Sequence, residues 1–155
     1  MPMATQIKPK PAESYEQDFY AWVERQAALL RARRFDDLDL DPLIEEVEAS
    51  ARAELNAVLS DASVVIEHLL KLEHSPATGL QPGWRASVRE HRRRLRRGLT
   101  PRLRQLLASA LPGLYREVRD DTAALLCDYG ESAAADALPE VCPYDLERLT
   151  GSCLP

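Results

Sequence analysis

Between Pro42 and Pro76 the chain runs for 33 residues without a glycine or a proline. Asp41-Pro42 before this run is a helix start, because Asp caps free amides and Pro suits the first helical position. Ser75-Pro76 is the next stop. The pattern predicts one long central helix over about 42–74, ~50 Å at 1.5 Å per residue. Ile44, Val47, Ala51, Leu55, Val58, Ala62, Val65, Ile66 and Leu69 give it an apolar stripe of helical period. In its last third Val64, Leu70 and Leu72 widen that stripe to most sides, so this end is expected to be central in the fold.

A chain of 155 residues must wrap its other elements around such a helix. With only six Gly and two Phe and few β-branched residues, those elements are helices too. A first helix is expected over Tyr15–Arg33, opened by a Ser14/Gln17 capping box, with Phe19 and Trp22 as core anchors. Residues 75–83 form a loop. A third helix runs from near Trp84, a further anchor, to Gly98. Thr100-Pro101 opens a fourth, which Pro112-Gly113 kinks or breaks, leaving a fifth over about 114–129. A turn or two follows within 131–138, and then a short helix from Tyr144 with a Gly151 stop. Cys142 and Tyr144 are expected to plug this last segment onto the core. The fold class is all-α: an up-and-down bundle of about five helices. The expected organisation is a disordered tail over 1–13, a single helical domain over 14–151 and a C-terminal tail over 152–155.

Several runs have a familiar look. YEQDFYAWVERQAALLRARRFDDLDLDPLIEEVEA, HLLKLEH, WRASVREHRRRLRR and CPYDLERL, in that order, resemble the bacterial family called domain of unknown function 29. The resemblance covers about Tyr15 to Gly151. It implies an all-helical single domain and no established biochemical activity. Glu73-His74, His91 (where the family pattern has Gln) and Pro112-Gly113 depart from it.

Charge is distributed unevenly. The formal net charge is −5, yet Arg85 to Arg104 holds nine Arg against the single acid Glu90. Arg85, Arg89, Arg92, Arg93 and Arg96 fall on one side of the third helix and form a candidate surface for a partner protein or for phosphates. Acids for intramolecular pairing are expected from Glu16 and Asp18. The acidic stretch at the start of the long helix sits too far along an antiparallel hairpin to reach the Arg face. Opposite charge poles also suit self-association. His91 and His68 lie on inward-leaning positions, and the loop count sets His91 opposite about residue 67. Two His with a carboxylate could hold a metal in a bundle, although satisfied interior histidines explain the same pattern. Glu45, Glu46 and Glu48 resemble a di-iron carboxylate set, but Glu48 and His68 lie ~30 Å apart along one helix.

Composition excludes more than it selects. No apolar run approaches the ~18 residues of a membrane span, and the N-terminus lacks the apolar core of a signal peptide. Three cysteines without CxxC spacing read as free thiols of the cytoplasm. No nucleophile–base motif or phosphate loop is present, and no cofactor is expected. The leading expectation is a non-enzymatic interaction module that uses the Arg face. Behind it stand a nucleic-acid-binding accessory protein using the same face and, weaker still, a metal-dependent enzyme using His68 and His91.

Overall fold

The structure is a computed structural model that describes residues 14–155. The tail expected over 1–13 lies outside the described residues. Among those residues there are six α-helices and no strand: α1 (Phe19–Arg31), α2 (Leu40–His74), α3 (Gln81–Gly98), α4 (Pro101–Asp128), α5 (Ser132–Asp136) and α6 (Leu146–Thr150). The fold is all-α with a long central helix of 35 residues, as the sequence predicts. The chain divides into two compact units, one ending at Ala51 and the other running Arg52–Pro155.

In the first unit, α1 starts four residues later than expected. Ser14 closes a turn through its carbonyl, which accepts from the amides of Gln17 and Asp18. The cap is Asp18, whose carboxylate accepts from the Ala21 amide at 3.0 Å. At the other end Arg34 donates to the Leu29 carbonyl and Arg33 to that of Leu30. This is a Schellman closure, and it holds Arg33 at φ 55, in the left-handed region that glycine normally fills. The first stretch of α2 completes the unit. Trp22 and Gln26 of α1 are buried. Phe19, expected in the core, is 48% exposed, because the hairpin closes on the Trp22 side of α1 and Phe19 is left facing out.

The second unit has a conventional apolar core. Val65, Ile66, Leu69 and Leu70 of α2 are fully buried, as the widened stripe predicts, and Val88, Leu95, Leu107 and Tyr115 join them. Each such aliphatic side chain contributes roughly 1.5–3 kcal/mol. Trp84 packs against this core while partly exposed, under the Lys71 ammonium at 6.0 Å. The main departure is α4, one helix of 28 residues that passes through Pro112. The expected fourth and fifth helices are its two halves. Proline removes one backbone bond and costs ~3 kcal/mol inside a helix. Leu111 and Tyr115, buried on either side of it, hold the helix together at a gain of similar size.

Residues beyond α4 fold back onto it. The Tyr115 hydroxyl donates to the Pro139 carbonyl at 2.6 Å, and Arg119 Nε donates to the same carbonyl at 2.9 Å. Tyr144, the expected plug, is buried and donates to Glu73 at 2.8 Å, while Arg148 reaches the other Glu73 oxygen at 3.1 Å.

Pro112→Ala should raise stability by about 1–3 kcal/mol, since the position is exposed and regains a helical bond. Urea unfolding measures this, and an unchanged midpoint would mean that the helix has no bond to regain. Alkaline stability tests the Tyr144 contact. Burial, then the hydrogen bond to Glu73 and its charge, push the Tyr144 phenol far above its ordinary value. The folded state therefore keeps a proton that the unfolded chain loses above about pH 10. The contribution of Tyr144 should be constant below that pH and fall above it. Tyr144→Phe should flatten the fall, with Tyr115, Tyr15 and the Cys142 thiol, all raised as well, contributing to the remainder.

Candidate functional site

Most of the arginine stripe on α3 is engaged by the chain itself. Arg92 is 2% exposed and donates to the Cys153 carbonyl at 2.7 Å and the Arg148 carbonyl at 2.6 Å. Arg96 donates to the Thr150 carbonyl at 2.9 Å, and Arg85 to the Pro155 main-chain oxygen at 2.5 Å. Positions 85, 92 and 96 share one helical stripe, and that stripe lies on the 148–155 segment. The end of α6 presents carbonyls without helical partners, and guanidinium groups are suited to take them. Burial, then the charges of Arg148 and Arg96, pull the Arg92 guanidinium below its ordinary value. The face expected from the sequence is therefore only partly free: Arg92 is interior, Arg85 (half-buried) and Arg96 (exposed) hold the chain's own backbone, and Arg89 and Arg93 are exposed without such a backbone contact. Arg93 pairs with Glu90, as does Arg94 at 3.1 Å. Glu16 and Asp18, the anticipated acids, lie in the other unit, and Asp18 caps α1.

The histidines have separate partners. His68 Nδ1 meets the Val64 carbonyl at 2.9 Å, one turn back on its own helix. His91 Nδ1 meets Asp61 Oδ1 at 2.6 Å. His91 thus meets Asp61 rather than a residue near 67. Asp61 is ~10 Å along α2 from His68. Among the described residues no group of three or more His, Cys, Asp and Glu could hold a metal ion. Cys142, partly buried, donates to the Tyr144 carbonyl at 3.3 Å, and burial pushes its thiol up, away from the thiolate a nucleophile needs.

A different feature dominates the first unit. A groove of about 370 Å³ runs between α1 and α2, lined by Phe19, Trp22, Val23, Gln26, Ala27 and Leu30 on one side and Leu43, Glu46, Val47 and Ser50 on the other. Its floor is polar and fully satisfied. The Trp22 indole donates to Asp39 Oδ2 at 2.8 Å and the Gln26 amide donates to the same oxygen at 3.1 Å. The Gln26 carbonyl in return accepts from the Asp39 backbone amide at 3.0 Å. Tyr15, Phe19 and Trp22 cluster at one end, with Tyr15 edge-on to Trp22 at 5.1 Å. The Tyr15 hydroxyl donates to Glu46 at 2.6 Å, and that bond, with the charges of Glu46 and Glu45, raises it above its ordinary value.

The walls remain apolar and open. Val23 is 40% exposed, Leu30 43% and Val47 66%. Of the eleven large hydrophobic side chains exposed among the described residues, eight lie between Phe19 and Val47. Phe19, Ile44 and Val47 occupy positions where the sequence predicts a core face. Their helical spacing is right, but among the described residues nothing covers them fully.

The family model described as "Domain of unknown function DUF29" matches residues 14–152, which takes in all six helices. No curated protein and no solved structure matches the chain.

Removing the interior guanidinium should be costly. Arg92→Ala leaves two carbonyls without their donor and should destabilise the fold by about 2–4 kcal/mol. Arg92→Lys, which cannot fork to both, should recover only part of that. Arg89→Ala, at an exposed position, should stay within about 0.5 kcal/mol. Urea unfolding of the three variants checks the order, and equal midpoints for Arg92→Ala and Arg89→Ala would sink the clamp.

Proposed function

The chain belongs to the DUF29 family, and we propose that it is a non-enzymatic interaction module that docks a partner in the α1/α2 groove of its first unit. One observation carries this reading: the exposed apolar side chains are concentrated on one short hairpin, and four of them (Phe19, Val23, Leu30 and Val47) line a groove with an ordered polar floor. Contiguous apolar surface on a folded protein marks a place where something binds. The surplus apolar residues of α1 and α2 recur at helical spacing, so they form two walls rather than scattered points. The arginine face is the second candidate for a contact surface. Its support is weaker, because Arg85, Arg92 and Arg96 already have carbonyl partners within the chain. Free cysteines at 127, 142 and 153 accord with a reducing, cytoplasmic setting.

A photo-crosslinking residue placed in turn at Val23, Val47, Arg89 and Arg97 of the full chain, in its native cells, tests the assignment. Discrete adducts of constant mass from positions 23 and 47, absent from 89 and 97, are the expected result. Adducts confined to 89 and 97 would move the docking surface to α3, and the same label on nucleic acid would favour the accessory-protein reading.

A further inference from the structure

We infer that the occupant of the α1/α2 groove is a cationic amphipathic helix belonging to another protein. The inference rests on the docking reading above and specifies the partner's chemistry. Backbone satisfaction comes first. Both walls are helices whose amides and carbonyls are paired internally, so the groove offers no strand edge to an extended peptide. An occupant that leaves water here must satisfy its own backbone, and a helix does so. Dimensions agree: Phe19 to Leu30 is twelve residues, ~16 Å from end to end, which matches about three turns of a third helix. The apolar walls would take side chains at i, i+3, i+4 and i+7 spacing.

Charge selects the partner's polar face. Between Ser14 and Ala51 there are ten Asp and Glu against four Arg, whereas Arg52–Pro155 balances fourteen acids with fourteen Arg and Lys. Glu46 lines the groove itself, and Glu45 acts on Tyr15 beside it. A helix entering this field is favoured if its polar positions are Lys or Arg. A second copy of the chain does not fit. Its own hairpin repeats the acidic excess, and its cationic helix α3 has Val88 and Leu95 wholly buried in its core, leaving no apolar face to fill a groove.

The test uses the full chain and a synthetic peptide of Leu and Lys, about eighteen residues or five turns in amphipathic helical order. A twin carries Glu for every Lys. Calorimetry should show the Lys peptide binding at least about tenfold tighter than its twin, with affinity falling as salt rises. Val23→Asp and Val47→Asp add negative charge, so they should strengthen mere electrostatic attraction, yet they should abolish binding here. Circular dichroism verifies that both variants stay helical, as expected for exposed positions. If both peptides bind equally and both are lost in the variants, the groove binds helices but the cationic inference fails. If neither binds, or the variants bind unchanged, the docking reading fails with it. A concentration-dependent dimer in sedimentation that Val23→Asp dissolves would assign the groove to a second copy and overturn the inference.

Discussion

Asp39 closes the first unit with hydrogen bonds where an apolar core would ordinarily do it. One of its carboxylate oxygens receives the Trp22 indole and the Gln26 amide, and its backbone amide returns a bond to Gln26. A bond to a charged acceptor contributes about 1.5–3 kcal/mol, and two of them converge here on interior donors. α1 is thereby held to the start of α2 at the cost of burying only Trp22 and Gln26 in that helix. The aliphatic side chains of both helices are not consumed in closing the hairpin. An open apolar groove is the direct result of a polar closure.

The second unit solves the opposite problem. Its α3 is so rich in arginine that packing any face of it inward brings a guanidinium with it. Arg92 is the one that goes in. Carbonyls rather than carboxylates receive it, so the contact carries no charge neutralisation and depends on geometry: two fork nitrogens on two main-chain oxygens. Asp61 on α2 serves His91 at 2.6 Å and lies 3.9 Å from Arg94. Charge balance within this unit and acidic excess in the other make the two chemically unlike, although one helix, α2, contributes to both.

Much of this was legible in the residues. The Thr100-Pro101 start, the α2 stop at Ser75-Pro76 and the wholly apolar end of α2 depend on local chemistry, and local chemistry is what a sequence displays. Pro112 misled because its penalty is local while its compensation, the burial of Leu111 and Tyr115, is tertiary. Phe19 and Trp22 look alike as members of an apolar stripe; only Asp39, thirteen and seventeen residues from its two partners, decides which is interior. Gln26, one turn after Trp22 on a buried face, was the available hint, and the surrounding acidic run obscured Asp39. For α3, spacing sets the arginines on one side of the helix but does not distinguish an acceptor in a partner from a carbonyl some sixty residues away.

The clamp between α3 and the 148–155 segment has an evolutionary consequence. Recognition there is of main-chain oxygens at Arg148, Thr150, Cys153 and Pro155, and the side chains at those positions supply none of its hydrogen bonds, although the charge of Arg148 bears on Arg92. Mutational drift along the segment can alter its side chains while every acceptor stays in place. Drift at Arg85, Arg92 or Arg96 removes a donor that nothing else supplies. The two partners in one contact therefore tolerate change unequally, and the fold of this chain is reason enough to keep its arginine stripe, without any outside ligand selecting it.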